Sequence, residues 1–303
     1  MNTLIIKLGA TGDVVRTTPL VRRLSGKITW ITSAKNKVFV EGISPNVRCL
    51  IWDERCAACD TAYDLVISLE DDREVGSFLS SIRYDAIFGA YLDKSSDKMT
   101  YSENSATWFD LSLISKHGRT EADRLKLQNR QTYQDHIFNG LNLAFHGDEY
   151  VLPAPKNTGL YGDIAISPLA GPVWPMKAWA YFEELQNALA ARGYIVNILS
   201  TRASLLEHLA DIQGHRCVVS GDSLPMHLAL GSGIRCVSIF NCTSPWEIHD
   251  YGRQIKLISP LLDQFFYQRR FDPRATTAIS LESVLEATLS QFRSLSDVQT
   301  ATA

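Results

Sequence analysis

The chain has 303 residues, 45% hydrophobic and 21% charged, a globular composition that excludes a disordered or fibrous protein. Its length suits about two domains of roughly 150 residues, with cores large enough to need neither disulfides nor metal. Thirty basic residues against 33 acidic ones leave a net charge of -3, which excludes the basic surplus of a nucleic-acid binder. No apolar run approaches the roughly 18 residues of a membrane span. Lys7 interrupts the first apolar stretch, so no signal peptide is read and a cytoplasmic protein is expected. The six cysteines form no secreted framework, and Cys56-x-x-Cys59 lacks the second pair of a zinc site.

In chain order, strand-length apolar runs alternate with helix-length stretches, as parallel α/β units do. Strands are predicted at 4–8, 28–31, 47–51 and 65–69, and helices at 14–25, 74–82 and 131–145; the polar stretch 93–105 reads as loop. Pro153 to Gly159 carries two prolines and turn formers without periodicity, and reads as a linker. Beyond it the alternation restarts with strands at 164–166, 195–199, 217–219 and 236–240, and helices at 178–192, 205–212 and 225–230; residues 294–303 read as a frayed tail. The pattern predicts two consecutive doubly wound sheets: a first domain over 1–152, a linker at 153–159 and a second domain over 160–303. Ligands of such sheets bind beyond the carboxyl ends of the strands, so the loops there hold the candidate chemistry.

Three such loops stand out. The first strand runs into Gly9-Ala10-Thr11-Gly12-Asp13, a Gly-x-x-Gly turn that lets backbone approach a ligand at a helix start. No Lys-Ser or Lys-Thr follows Gly12, so it is not a Walker loop, and the third glycine of a nicotinamide fingerprint is missing. Asp13 reads either as a helix-cap carboxylate or as a functional one. The second loop, 167–179, ends in Lys177 at a helix start, where a cation opposes the helix dipole; the lysine is either a surface residue or a phosphate ligand. The third, Ser220 to His227, spells Gly221-Asp222-Ser223-Leu224, the signature of an esterase family in which Ser223 would be the nucleophile. That family places the signature after its first strand and adds a late Asp-x-x-His, and this chain does neither.

Taken together, Lys7 to Pro19, Gly221-Asp222-Ser223, Pro225-Met226-His227-Leu228-Ala229 and Thr243-Ser244-Pro245 resemble glycosyltransferase family 9, the heptosyltransferase type of lipopolysaccharide core biosynthesis. The resemblance implies two Rossmann-like domains facing across a cleft, the GT-B architecture. It also implies inverting, metal-independent transfer from a nucleoside-diphosphate sugar such as ADP-heptose to a glycan or lipid-linked glycan, with no cofactor and at most peripheral contact at the inner face of the cytoplasmic membrane. By its pattern Asp13 is the general base and Lys177 holds the diphosphate, with Thr11, Gly12, Gly221, Asp222, Ser223 and His227 on the donor. Glu70, Asp71 and Asp72 follow the fourth strand on the acceptor side, where three carboxylates disfavour an anionic acceptor. The segment 200–203 is shorter than the family's nucleoside-contacting loop, which leaves a degenerate sugar-nucleotide binder as an alternative.

Overall fold

A computed structural model describes the backbone of residues 1–300 and the side chains of residues 1–292. The chain divides into two compact units, Met1–Pro153 and Ala154–Ala303.

The first unit opens with β1 (Asn2–Ile6), α1 (Thr11–Thr17), β2 (Lys27–Thr32), β3 (Val47–Ile51), β4 (Ala62–Ser68) and α2 (Arg73–Leu79). It continues with β5 (Arg83–Asp93), β6 (Lys98–Tyr101), α3 (Ala106–Phe109), α4 (Arg119–Gln128) and α5 (Tyr133–Gly140). Its six strands are ordered β3-β2-β1-β4-β5-β6, all parallel except the antiparallel β5–β6 pair. Leu4, Ile5 and Ile6 are fully buried, as a parallel strand covered on both faces requires. Ile5, Trp30 and Ile67 face one core with Tyr133, Ile137 and Phe138 of α5, and Leu4, Ile6 and Val66 face the other with Val75 and Leu79 of α2.

The second unit runs through β7 (Gly162–Ser167), α6 (Phe182–Ala190), β8 (Val196–Ile198), α7 (Leu205–Gln213), β9 (His215–Gly221), α8 (Leu224–Gly231), β10 (Arg235–Phe240) and β11 (Gln254–Ile258). Three helices close it: α9 (Leu262–Phe265), α10 (Pro273–Thr277) and α11 (Leu281–Thr300). Its five strands are all parallel, in the order β11-β10-β9-β7-β8.

Several boundaries differ from the sequence reading for local reasons. The helix expected over 14–25 is α1 followed by a 3-10 stretch at Thr18–Arg22, because Pro19 supplies no N–H to an α-helical turn. The helix expected from 178 begins at Phe182, since Lys177 ends a 3-10 turn and Ala178 is extended. The helix expected over 131–145 stops at Gly140, with Asn142 in the left-handed region. β6 lies inside the stretch read as loop, and β5, β11 and α4 carry charged residues that hide their pattern. α11 occupies part of the expected frayed tail; residues 301–303 lie outside the described residues.

His136 of α5 is buried, and burial pushes its imidazole down to about 4 from the ordinary 6.5 against the weaker pull of Asp135. The fold therefore favours the neutral ring: as pH falls below 6.5 the unfolded chain takes up the proton first, and the stability lost levels off only below about 4. At pH 5 the loss from this residue is about 2 kcal/mol. In His136→Gln, which can still donate to Asn129, the difference in urea unfolding free energy between pH 7 and pH 5 is expected to shrink by that amount. His208 and His215, also lowered by burial, keep part of the acid sensitivity in place.

Candidate active site

Each sheet has a strand pair at which the connections diverge. In the first unit β1 lies between β2 and β4, and chain leaves β1 toward β2 on one side while it leaves β4 toward β5 on the other. A ligand crevice opens beyond the carboxyl ends of such a pair. Ile6 is in register with Ser68, so the loop after β1 and the loop after β4 meet there.

Glu70 closes this meeting point. Its Oε1 accepts from the Leu8 N–H at 2.6 Å, the Gly9 N–H at 3.2 Å and the Lys7 ammonium at 3.0 Å. Burial works against the Lys7 charge, but Asp13 and Glu70 outweigh it and hold the ammonium above the ordinary lysine range. Lys7 Nζ also lies 3.9 Å from Asp13 Oδ2, and Arg16 Nη2 lies 2.9 Å from Asp13 Oδ1. Asp13 sits in the first turn of α1, where the helix dipole favours a carboxylate, and its side chain is 34% exposed. Thr11 donates to Asn36 at 2.7 Å while Asn36 donates to the Leu8 carbonyl, so the hydroxyl of Thr11 braces the loop; Gly12 is the second residue of α1.

The acidic run after β4 therefore differs from the expected wall of three free carboxylates. Glu70 is neutralised by Lys7 and bonded to backbone, Asp72 caps α2 by accepting from the Glu74 N–H at 2.7 Å, and Asp71 is exposed. The repulsion of an anionic acceptor argued from three charges loses most of its basis.

The second unit repeats the arrangement. β7 lies between β8 and β9, with Ser167 in register with Ser220, so the loop after β7 and the Asp222-Ser223 turn after β9 are neighbours. Lys177, at the end of the 3-10 turn Pro175–Lys177, places Nζ 2.9 Å from Asp222 Oδ2; their side chains are 18% and 13% exposed. Burial opposes the Asp222 charge, yet Lys177, helped by His227 and Thr243, holds its carboxyl down at about 2. Gly221 is required here, because a Cβ would meet the Lys177 carbonyl oxygen at 2.4 Å. Gly221→Ala is expected to cost about 1–3 kcal/mol of stability, read as a lower midpoint in urea unfolding, since backbone must move to admit the methyl.

α8 starts at Leu224 with Pro225 in its first turn, and Ser223 precedes it as N-cap without a side-chain cap bond. The Ser223 hydroxyl donates to the Gly221 carbonyl at 3.4 Å, a contact with backbone and not with the histidine an esterase nucleophile needs. Asn241, just past β10, donates to the Met176 carbonyl at 3.0 Å and so ties the Thr243-Ser244-Pro245 segment to the Lys177 turn. Lys256 of β11 donates to the Pro245 carbonyl at 2.8 Å and holds that segment from behind. Lys177, Gly221, Asp222, Ser223, His227 and the Thr243 segment thus share one end of the second sheet. Arg202, in the short 200–203 segment, is bonded through Nε at 2.6 Å and Nη2 at 3.0 Å to the fully buried Asp211.

Sequence reasoning missed Arg16 and Asn241. Arg16 had a signal, its i,i+3 spacing from Asp13; Asn241 had none, because its partner is 65 residues away. Among the described residues, no group of three or more His, Cys, Asp or Glu side chains could hold a metal ion, and no helix is long and apolar enough to cross a membrane.

Residues 179–268 match the model of glycosyltransferase family 9 (heptosyltransferase). In fold the chain is similar to the E. coli heptosyltransferase WaaC with ADP-2-deoxy-2-fluoro heptose, at 15% identity over 94% of this chain and 98% of that one, with a TM-score of 0.61. It is also similar to a glycosyl transferase family 9 protein of Veillonella parvula, at 16% identity over 96% of each chain and a TM-score of 0.67. A third similar structure is the E. coli ADP-heptose lps heptosyltransferase II, at 14% identity over 98% of this chain and all of that one, with a TM-score of 0.58. No curated protein matches. The match to glycosyltransferase family 9 thus lies in the second unit, and the two α/β units together are similar in fold to these heptosyltransferases.

Proposed function

We propose that the chain is an inverting, metal-independent glycosyltransferase that moves a heptose-like sugar from a nucleoside-diphosphate donor to a hydroxyl of a glycan or lipid-linked glycan. The observation that carries this reading is the Lys177–Asp222 pair at the switch point of the second sheet, with Asp222 immediately before the N-cap of α8, in and beside the segment that matches the family model. A lysine ammonium and the positive end of the α8 dipole suit a diphosphate and the charge that grows on it as it leaves.

In the first unit Asp13 takes the proton. The acceptor oxygen forms a bond to the anomeric carbon, the bond from that carbon to the diphosphate oxygen breaks, and the acceptor proton passes to the Asp13 carboxylate as the nucleoside diphosphate departs. Gly221, Asp222, Ser223 and His227 then shape the donor site with Lys177, and Thr11 and Gly12 present backbone beside Asp13. ADP-heptose is the first donor to try, since WaaC was crystallised with an ADP-heptose analogue. We assign the enzyme to the cytoplasm, with its acceptor presented at the inner face of the cytoplasmic membrane.

A thermal-shift panel of nucleotide sugars tests the reading. ADP-heptose is expected to raise the melting temperature, and to do so less in Lys177→Ala. A panel in which no nucleotide sugar binds would overturn it, and would leave the bonded 200–203 segment as the mark of a degenerate relative.

A further inference from the structure

Arg16 stands one helical turn from Asp13 in an arrangement that exposed helix pairs lack. Such pairs at the surface are mobile and worth a few tenths of a kcal/mol. Here the Arg16 side chain is only 9% exposed and its guanidinium lies 4.0 Å from the centre of the Tyr133 ring, with Trp108 at 5.7 Å. The ring it rests on is itself held: Trp108 meets Tyr133 edge-on at 4.9 Å, and the Tyr133 hydroxyl is 2.7 Å from Thr17 Oγ1, which donates to the backbone carbonyl of Asp13. Gln134 donates to the Arg16 carbonyl at 3.1 Å. The two oxygens of Asp13 face different cations, Oδ1 the guanidinium and Oδ2 the Lys7 ammonium.

We propose that Arg16 is a positioning residue for Asp13: clamped on Tyr133, it fixes the rotation of the carboxylate and keeps it ionised for the approaching hydroxyl. This rests on the reading of Asp13 as the base. The groups that face Asp13 include Lys7 from the loop after β1, with Glu70 behind it, Arg16 from α1 and the phenol of Tyr133 from α5. Lys7 is shared with Glu70, whose Oε1 lies 3.0 Å from that ammonium. The guanidinium is the nearer of the two cations, at 2.9 Å against 3.9 Å for Lys7, and an adjacent arginine lowers a carboxyl by about one to three pH units. Orientation adds to this, because a base turned away from the acceptor proton loses the advantage of proximity.

The experiment is a carbon-13 titration of aspartate-labelled full-length protein, with the Asp13 carboxyl assigned by its loss in Asp13→Asn. In Arg16→Met, which keeps an unbranched apolar stem without the charge, the Asp13 midpoint is expected to rise by at least one pH unit. In Arg16→Lys it should rise less, because the charge returns without the planar stack. Turnover of ADP-heptose should follow, with kcat reduced about ten-fold or more in Arg16→Met, KM for the donor unchanged, and the acid limb of the pH profile moved up. An Asp13 midpoint unchanged in a folded Arg16→Met overturns the proposal. Should that variant fail to fold, an unchanged midpoint and an unchanged acid limb in Arg16→Lys overturn it equally. Full turnover in Asp13→Asn would instead sink the base reading while leaving the Arg16 titration result intact, so the two failures are distinguishable.

Discussion

Asp13→Asn is expected to lower turnover by about 100- to 10,000-fold, roughly 3 to 5 kcal/mol of barrier, with donor binding unchanged within about two-fold. Asparagine keeps the shape of the side chain and can still accept from Arg16 through its amide oxygen, so the local packing survives. What it lacks is affinity for the acceptor proton, and a reaction that must deliver that proton to water loses the positioned base. Donor affinity is expected to hold because Lys177 and the α8 loop lie in the other unit. Single-turnover rates with ADP-heptose, set beside calorimetric binding of ADP, make the comparison. A variant with near-wild-type turnover would return Asp13 to a carboxylate that serves only the first turn of α1.

Lys177→Ala is expected to weaken ADP binding about 10- to 100-fold, which corresponds to losing one charge-assisted contact with a diphosphate. The same substitution strands the Asp222 carboxylate. With Lys177 gone, the burial that already opposes its charge is no longer outweighed, and the carboxyl should climb from about 2 toward the ordinary carboxylate range or above it. The sign matters for stability: a depressed carboxyl stabilises the fold above its unfolded value of 3.8 and loses that contribution as pH falls toward 2. Lys177→Ala therefore loses stability at neutral pH as well as affinity. The double variant Lys177→Ala, Asp222→Asn should regain much of the stability, since no buried charge is left unpaired, without regaining ADP affinity. Chelators should leave wild-type turnover unchanged. Strict dependence on added magnesium or manganese would contradict the assignment of diphosphate charge to Lys177.

The local elements of this protein were legible in its sequence because their causes are local. Val47–Ile51 appears as a strand with the predicted ends, and Leu205–Gln213 as a helix within one residue, since apolar spacing and flanking turn formers act within a few residues of themselves. The three loops carrying Asp13, Lys177 and Asp222 were legible for the same reason, each being a strand end that runs into a helix start. β5, with Arg83, Asp85 and Asp93 toward its ends, and β6, in a polar stretch, were not, because their burial is decided by neighbours distant in sequence. The partners of the site residues belong to that second kind. Whether Glu70 walls an acceptor site or clamps Lys7 depends on β4 lying beside β1, and whether Lys177 is a surface lysine or the counter-charge of Asp222 depends on β9 lying beside β7. Strand order is set by non-local hydrogen bonding and packing of whole sheets, which a single sequence read from end to end does not display. The sequence determined the residues and their loops; the tertiary structure alone decided which charges meet, and so which carboxylates remain available for chemistry.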